Sequence, residues 1–211
     1  MKSSHDELVA RREARTQGLA VRPDVLTTRF AARVSEVEPD RAVLVLKAAC
    51  EILLRRMREL HPATALRMVG LDIGRDATAK GRDDLATRVD AELEITLSND
   101  LDWWNRAQLS AAVSVLARTL AVEARKQKPV IEVVFQQPVA LVREPERYRA
   151  EVLRRWVGRS KELAALAQSE KAPLYLVECA PPGDVQQHPV SVDEVRLTID
   201  LQGALDVLRE G

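Results

Sequence analysis

A strict alternation of apolar and polar residues between positions 88 and 97 constrains the fold more than any other feature. The apolar positions are Val89, Ala91, Leu93, Ile95 and Leu97. A period of two puts one set of side chains on each face of a β-strand, so one face meets a core and the other meets water. The segment predicts a half-buried strand in a sheet that other elements must cover on one side.

Two neighbouring segments repeat their apolar residues every three to four positions, which is typical of amphipathic helices. The first is opened by Pro39-Asp40 and runs to about Leu60, with a polar stripe at Lys47, Glu51, Arg55 and Glu59. The second covers 103–126, with a polar stripe at Arg106, Ser110, Ser114 and Arg118. A third helix is predicted over 145–171, because Pro145 suits a first helical position and Pro173 ends the helix.

Shorter apolar or alternating segments complete the predicted sheet. Strands are expected over 26–37, 66–75, 130–135 (resuming over 138–142), 174–179 and 190–202. Within the last strand the apolar parity changes near Asp193-Glu194, which we interpret as a β-bulge. The predicted order is β-α-β-β-α-β followed by α-β-β, with helices on one face of a mixed or antiparallel sheet. This is an α+β fold whose first six elements follow the split βαβ pattern.

Composition limits the classes of function. Of the 211 residues, 46% are apolar and 30% are charged, which is ordinary for a globular protein. The 32 acidic and 32 basic side chains cancel, so we expect no nucleic-acid partner. No apolar run approaches the roughly 20 residues of a membrane-spanning helix, so no membrane span is expected.

One domain with one core is predicted, because no interior linker or low-complexity segment divides the chain. Residues 1–20 are expected to form a flexible or helical extension, residues 21–203 the domain, and residues 204–211 a C-terminal tail. The polar start of the chain has no apolar segment of an export signal. This predicts a cytoplasmic protein, or a periplasmic one if a leader has been removed.

Residues that carry catalysis are few and scattered. The three histidines, His5, His61 and His188, are isolated, and we interpret them as exposed polar side chains. Cys50 and Cys179 are interpreted as small buried hydrophobic residues; the alternative is a Cys179–His188 nucleophile pair across the last hairpin. An acidic group lacks the spacing of a calcium loop and is interpreted as a solvated turn; it consists of Asp72, Asp76, Asp83 and Asp84. The sequence predicts no catalytic residue, no metal site and no cofactor.

Three tryptophans are the candidates for an interaction surface. Trp103 and Trp104 are adjacent at a predicted helix start, where successive side chains point about 100° apart and rarely face one core together. Core packing at the helix start and a contact surface are both open for this pair. Similar alternatives hold for Trp156, where cation–π stacking with the neighbouring arginines is a further one. Arg106, on the polar stripe of the same helix, completes the candidate surface with Trp103, Trp104 and Trp156.

Together these features resemble the SIMPL-domain family over residues 21–203. The resemblance is carried by Pro23-Asp24, by the helix segment Tyr148, Val152 and Leu153 leading to Lys161 and Ala164–Ala167, and by the alternating strand Val190–Leu201. It implies a bacterial protein, most often from the envelope or secreted, of a family with ring-forming members and one kinase-associated eukaryotic branch. It supplies no catalytic residue. The chain departs from the family in lacking a leader and in having Lys171-Ala172-Pro173 where a helix-ending glycine is common.

The sequence therefore predicts a non-enzymatic interaction or scaffold protein that assembles into a homo-oligomer, with a protein partner as a further expectation. Small residues in the second helix permit close packing: Ala107, Ala111, Ala112, Ala117 and Ala121. The alternative is a binding module for a small ligand or a peptide, with the sheet edge or a cleft between helix and sheet as the site.

Overall fold

The computed structural model describes residues 18–35, 38–75, 85–167, 174–179, 182–200 and 203–207. These residues form three α-helices: α1 (Pro39–Leu60), α2 (Trp103–Arg125) and α3 (Arg149–Ala167). The strands are β1 (Leu19–Val21), β2 (Val25–Ser35), β3 (Thr64–Arg75), β4 (Leu85–Thr96), β5 (Ile131–Phe135), β6 (Val139–Leu141), β7 (Leu174–Cys179), β8 (Val185–Pro189), β9 (Val195–Ile199) and β10 (Gly203–Val207). A short 3-10 helix, Pro145–Tyr148, precedes α3. The predicted α+β class is confirmed.

The chain divides into two compact units. The central unit is Pro23–Leu141, and the flanking unit consists of residues 1–22 and 142–211. Each unit contains its own cluster of buried apolar side chains, so the expectation of one core is corrected. The reason is that α3 packs on β1 and β9 of the flanking unit, whereas α1 and α2 pack on the central sheet. The domain boundaries predicted from the sequence stay predictions.

The central unit is an antiparallel sheet with two helices on one face. Its strands lie in the order β3-β4-β2-β5, with β6 paired to the first residues of β2. The predicted apolar face of β4 is confirmed, since Ala91, Leu93 and Ile95 are buried. The other face does not fully meet water as expected, because Glu92 is buried there while Thr96 is exposed. Strands β2 and β4 pair over eleven positions, from Val25 opposite Thr96 to Ser35 opposite Ala86. This long central pair is the platform on which α1 and α2 bury their apolar sides.

The flanking unit contains the three-stranded sheet β1-β9-β8 and the separate pair β7–β10. A side-chain amide joins its segments: Val142 N–H donates to Gln187 Oε1 over 2.8 Å, and Gln187 Nε2 donates to the Val142 carbonyl over 3.0 Å. The small core consists of Leu19, Val142, Val152, Val185, Val195, Leu197 and Ile199.

Several predictions for the flanking unit are corrected. The parity change near Asp193-Glu194 marks a hairpin turn between β8 and β9 rather than a bulge, because the N–H groups of Val190 and Ser191 both donate to the Glu194 carbonyl. Strand β1 begins at Leu19, within the expected extension, and β10 covers Gly203–Val207, most of it in the expected tail. Residues 1–17, residues 76–84 with most of the predicted acidic turn, and the predicted end of the third helix at 168–171 lie outside the described residues.

Among the described residues, no helix combines the length and the apolar character that crossing a bilayer requires.

Candidate functional site

Both tryptophans at the start of α2 are exposed. Asp102 caps the helix by accepting a hydrogen bond from the backbone N–H of Asn105 over 2.7 Å, which places Trp103 and Trp104 in the first turn. The two indoles contact each other edge to face with ring centroids 4.7 Å apart, and Trp103 is 46% and Trp104 70% exposed. Core packing is therefore wrong for this pair, and the contact-surface alternative stays a prediction.

Arg106 does not belong to that surface. Its side chain is only 1% exposed, and its guanidinium donates to the carbonyls of Pro23 (2.8 Å), Ser98 (3.1 Å) and Leu101 (3.1 Å). A planar guanidinium has five N–H donors in a fixed fork, so one side chain can satisfy carbonyls from several directions. Arg106 is a structural residue that connects the start of β2 with the loop before α2.

Trp156 lies in the other unit, on α3. It is partly buried and lines a small cavity of about 80 Å³ together with Leu19, Val152, Arg155, Arg159 and Leu197. The three tryptophans thus belong to two units, Trp103 and Trp104 to the central one and Trp156 to the flanking one.

A groove with a mostly apolar lining lies in the central unit; the sequence predicted a cleft between helix and sheet as an alternative, but not its position. It lies between α1 and β3, has a volume of about 470 Å³, and is lined by Val43, Lys47, Cys50, Glu51, Leu66, Met68, Val69, Gly70, Leu71 and Val89. On the two elements that form the groove, α1 and β3, large apolar side chains are exposed: Leu44 (66%), Met68 (54%), Val69 (56%), Leu71 (56%) and Ile73 (45%). Large contiguous apolar patches on a protein surface mark interaction sites. We call the groove with these side chains the β3 edge surface.

The β3 edge surface lies at the border of the sheet. Strand β3 pairs with β4 along its whole length, from Thr64 to Arg75, and has no strand on its other side among the described residues. It is 12 residues long and contains no proline. An unpaired strand edge of this kind presents a row of backbone N–H and C=O groups that another chain can bind.

The opposite border of the same sheet differs. There the chain forms two short strands, β5 with five residues and β6 with three, separated by the segment Gln136–Pro138. Short edge strands and proline are common means of preventing edge-to-edge association. Within the described ranges the two borders of the sheet are therefore unequal, and β3 is the long edge without a partner strand on its outer side.

The face of the sheet away from the helices is charged. Glu92 is buried there, and its carboxylate forms ion pairs with Arg67 and with Arg29, whose Nε lies 3.7 Å from Glu92 Oε1. Arg67 Nε also lies 3.4 Å from Glu94 Oε1. Asp72 of β3 stands opposite Arg88 of β4. The apolar character of the β3 edge surface is thus confined to the side on which α1 lies.

Cys50 is the one cysteine whose side chain is described, and its thiol has low reactivity at neutral pH. Cys50 is 3% exposed on α1, and burial, with a smaller contribution from the charge of Glu51, raises the pKa of its thiol to about 11. The thiolate is the reactive form of cysteine, so Cys50 at neutral pH is a small apolar residue in the wall of the groove.

The proposed Cys179–His188 hairpin pair is corrected. Strand β7, which ends at Cys179, pairs with β10, whereas His188 lies on β8, which pairs with β9. His188 Nε2 is within hydrogen-bonding distance of Thr198 Oγ1, 2.8 Å away. His61 and His188 are partly buried rather than exposed as expected, and His5 lies outside the described residues. Of the acidic group, Asp72 is described and the other three residues are not.

A second, more polar cleft lies on the far side of the central unit. It has a volume of about 300 Å³ and runs between α2 and the β5–β6 connection. Ala117, Ala121, Phe135 and Pro138 form its apolar walls, while Ser110, Ser114, Arg118, Gln136 and Gln137 provide polar groups. The hydroxyl of Ser114 donates to the Ser110 carbonyl over 2.9 Å. Arg118 brings a positive charge to the lining of the cleft.

Comparisons with known proteins add little. No protein-family model matches the chain, and no curated protein matches its sequence. Among solved structures, a hydantoinase/carbamoylase family amidase from Burkholderia ambifaria is similar with 12% identity and a TM-score of 0.34, covering 68% of this chain and 37% of that chain. An amidase of the same family from Burkholderia phymatum gives 13% identity and a TM-score of 0.33, covering 73% of this chain and 38% of that chain.

The chain spans less than two fifths of the length of these solved structures. A likeness with a TM-score below 0.5 carries no inference about activity. The resemblance to the SIMPL-domain family stays a prediction.

Proposed function

We propose that this chain is a non-enzymatic interaction protein that assembles into a homo-oligomer through the β3 edge surface. The observation that supports the proposal is the combination of a proline-free strand, whose outer side has no partner strand in the described part of the chain, with an apolar groove beside it. Strand addition at an open edge gains main-chain hydrogen bonds, while neighbouring apolar side chains give specificity. The proposed role, an interaction protein that assembles with itself, is the one predicted from the sequence. The β3 edge surface is added to it as the proposed contact surface.

The expected affinity follows from the area available. Five large apolar side chains per copy are about half exposed: Leu44, Met68, Val69, Leu71 and Ile73. Covering each one contributes on the order of 1 kcal/mol, so two copies gain about 10 kcal/mol from burial. Association costs an estimated 4–15 kcal/mol, roughly the same amount, so the new backbone hydrogen bonds decide the balance. The experiment below is designed for a dissociation constant of about 1 µM, which corresponds to a net gain of about 8 kcal/mol.

Leu71→Glu tests the proposal. Leu71 is 56% exposed, so a carboxylate there is tolerated by the isolated chain but would be desolvated at the interface. A loss of about 3 kcal/mol is typical of a central apolar contact and corresponds to roughly 100-fold weaker association. The measurement is sedimentation velocity with light scattering from 0.1 to 100 µM, concentrations chosen to bracket the micromolar estimate (~1 µM).

The matched control is Val134→Glu. Val134 is 63% exposed on β5, at the opposite border of the same sheet, so it receives the same chemical change away from β3. Association should be unchanged in this variant. A wild-type chain that stays monomeric up to 100 µM, or equal weakening by both substitutions, contradicts the proposal.

A small-ligand function is the second candidate, and the α2 cleft favours it. The cleft combines apolar walls with Arg118, an arrangement suited to a compound with an apolar body and a carboxylate or phosphate group. A thermal-shift screen separates the two functions. An anionic compound that raises the Tm of the wild type but not of Arg118→Ala supports ligand binding, whereas a screen in which both proteins respond alike counts against it.

A further inference from the structure

The partner that best fits the β3 edge surface is a second copy of the same chain in one defined register, and this inference rests on the proposed function. The irregularity in the middle of β3 limits the choices. Met68 stands opposite Ala91 and Gly70 opposite Asp90, so Val69 is an extra residue on the β3 side, as in a β-bulge. Side-chain direction therefore shifts by one residue between Met68 and Gly70.

This shift determines which residues share a face. Before the bulge, Leu66 and Met68 pair with Leu93 and Ala91, which belong to the core face of β4. After it, Leu71 pairs with Val89, again on the core face, while Asp72 pairs with Arg88 on the charged face. Even-numbered residues before the bulge and odd-numbered residues after it thus lie on the side of α1.

A two-fold axis requires that antiparallel copies pair residue i with residue j and residue j with residue i. If Met68 stands opposite Leu71 of the second copy, then Leu66 stands opposite Ile73 and Arg67 opposite Asp72. Each of these pairs joins side chains of the same face, apolar with apolar and charged with charged. A register in which Met68 met Asp72 would place a carboxylate against the apolar side, which is costly.

The positions of charged residues distinguish between registers in which paired side chains lie on the same face of the sheet. Shifting one copy so that Leu66 meets Leu71 also keeps the faces matched, but it places Arg67 opposite Gly70 and Asp72 opposite Ala65. The Met68–Leu71 register instead puts Arg67 opposite Asp72 twice, once on each side of the axis. Directly opposite residues of unlike charge stabilise an antiparallel pair, so this register is favoured.

Gly70 is consistent with a close neighbour at the axis. A methyl group at Gly70 would meet no atom within 4 Å, so packing within the unit does not require glycine there. In the Met68–Leu71 register, Val69 of the second copy stands opposite Gly70. A glycine inside a strand is often found where another backbone approaches closely.

Helix α1 also presents charges that are complementary to those of its own copy. Lys47 and Glu51, four residues apart on α1, line the groove beside Met68, Val69 and Gly70, which is where the axis passes. A two-fold axis reverses the direction of the second helix, so Lys47 of one copy faces toward Glu51 of the other. Both the strand and the helix therefore present opposite charges to their own copies.

We infer that two copies of the chain pair β3 with β3 antiparallel about a two-fold axis, with Met68 opposite Leu71 and Arg67 opposite Asp72, to form one continuous sheet. Disulfide trapping tests the register. Variants Met68→Cys and Leu71→Cys are prepared separately, with Cys50 and Cys179 retained in both, and are oxidised alone and as an equal mixture. Cross-links are located by proteolysis and mass spectrometry.

The mixture should give a covalent heterodimer through positions 68 and 71, because opposite residues on paired strands lie about 5 Å apart, within disulfide reach. Each variant alone should give at least tenfold less. Two copies of position 68, or of position 71, would be three residues out of register and about 10 Å apart, beyond that reach.

The outcomes separate the register from the proposed function. Sedimentation velocity of the reduced variants shows whether they still associate. Association without a 68–71 cross-link in the mixture, or with equal cross-linking of each variant alone, overturns the register and leaves self-association standing. A monomeric wild-type chain removes both.

Discussion

At the scale of single residues, Arg106 shows how a charged side chain becomes part of the core. Its position in the first turns of α2 brings the guanidinium close to carbonyls from Ser98 and Leu101 just before the helix and from Pro23, 83 residues earlier in the chain. Carbonyl groups buried without a donor are costly. A single side chain thus stabilises the place where β2 begins and the place where α2 begins.

Replacing Arg106 by methionine should destabilise the central unit strongly. Methionine fills part of the same space but donates no hydrogen bond, so three carbonyls lose a charged donor and the free energy of unfolding should fall by about 3 kcal/mol. Urea unfolding followed by circular dichroism measures this. Arg118→Met, at an exposed arginine of the same helix, should stay within about 0.5 kcal/mol of the wild type. Equal stability of the two variants would show that the buried hydrogen bonds contribute nothing.

At the scale of secondary-structure elements, α1 and β3 act together. Buried residues on one side of α1, among them Leu46, Leu53 and Met57, attach the helix to the sheet. The neighbouring side, with Leu44 and Lys47, stays exposed beside β3. The sheet ends at β3, so this part of the helix has no further strand of its own chain to cover among the described residues.

Exchanging the charges on α1 tests whether two copies of the helix face each other. Lys47→Glu places two glutamates near each other at each side of the two-fold axis, and association should weaken about three- to tenfold, corresponding to roughly 0.7–1.4 kcal/mol. The double variant Lys47→Glu with Glu51→Lys restores opposite charges across the axis and should associate within about threefold of the wild type (~0.7 kcal/mol). Equilibrium sedimentation at low ionic strength is the measurement. A double variant that is as weak as the single one speaks against helices related by a two-fold axis.

Local patterns predicted most of the elements of the central unit. The alternation around Leu93 and the helical spacing of α1 and α2 were sufficient, because burial on one face leaves a period in the sequence. The irregularity at Gly70 was also visible as a glycine inside a strand. In the flanking unit the same parity signal near Asp193-Glu194 was present but was interpreted as a bulge, since a short hairpin turn changes parity in the same way.

Features that depend on distant parts of the chain were not predictable. The edge position of β3 follows from the order of strands in the sheet, which no local period encodes. Arg106 lies on a polar stripe and looked exposed, and its burial depends on a carbonyl 83 residues away. The two cores were missed for the same reason, because the pairing of β1 with β9 joins opposite ends of the sequence.

For the complete protein, the central proposal is that the sheet pairs one border with a copy of itself. This border is β3, which has no partner strand on its outer side within the described ranges. Pairing would satisfy the outward backbone groups of β3 and cover the exposed side chains of Met68, Val69, Leu71 and Ile73 at the same time. Closed two-fold pairing uses up the open edge, so it limits the assembly through this surface to two copies.

Amide hydrogen exchange as a function of protein concentration tests that claim most directly. Exchange in β3, residues 64–75, should become at least tenfold slower between 1 and 100 µM, since a strand edge that gains hydrogen-bond partners is protected (~1.4 kcal/mol per tenfold). Exchange in β5 and β6, at the other border, should not change. Exchange in β3 that is independent of concentration, or protection that appears only around Trp103 and Trp104, would contradict the account.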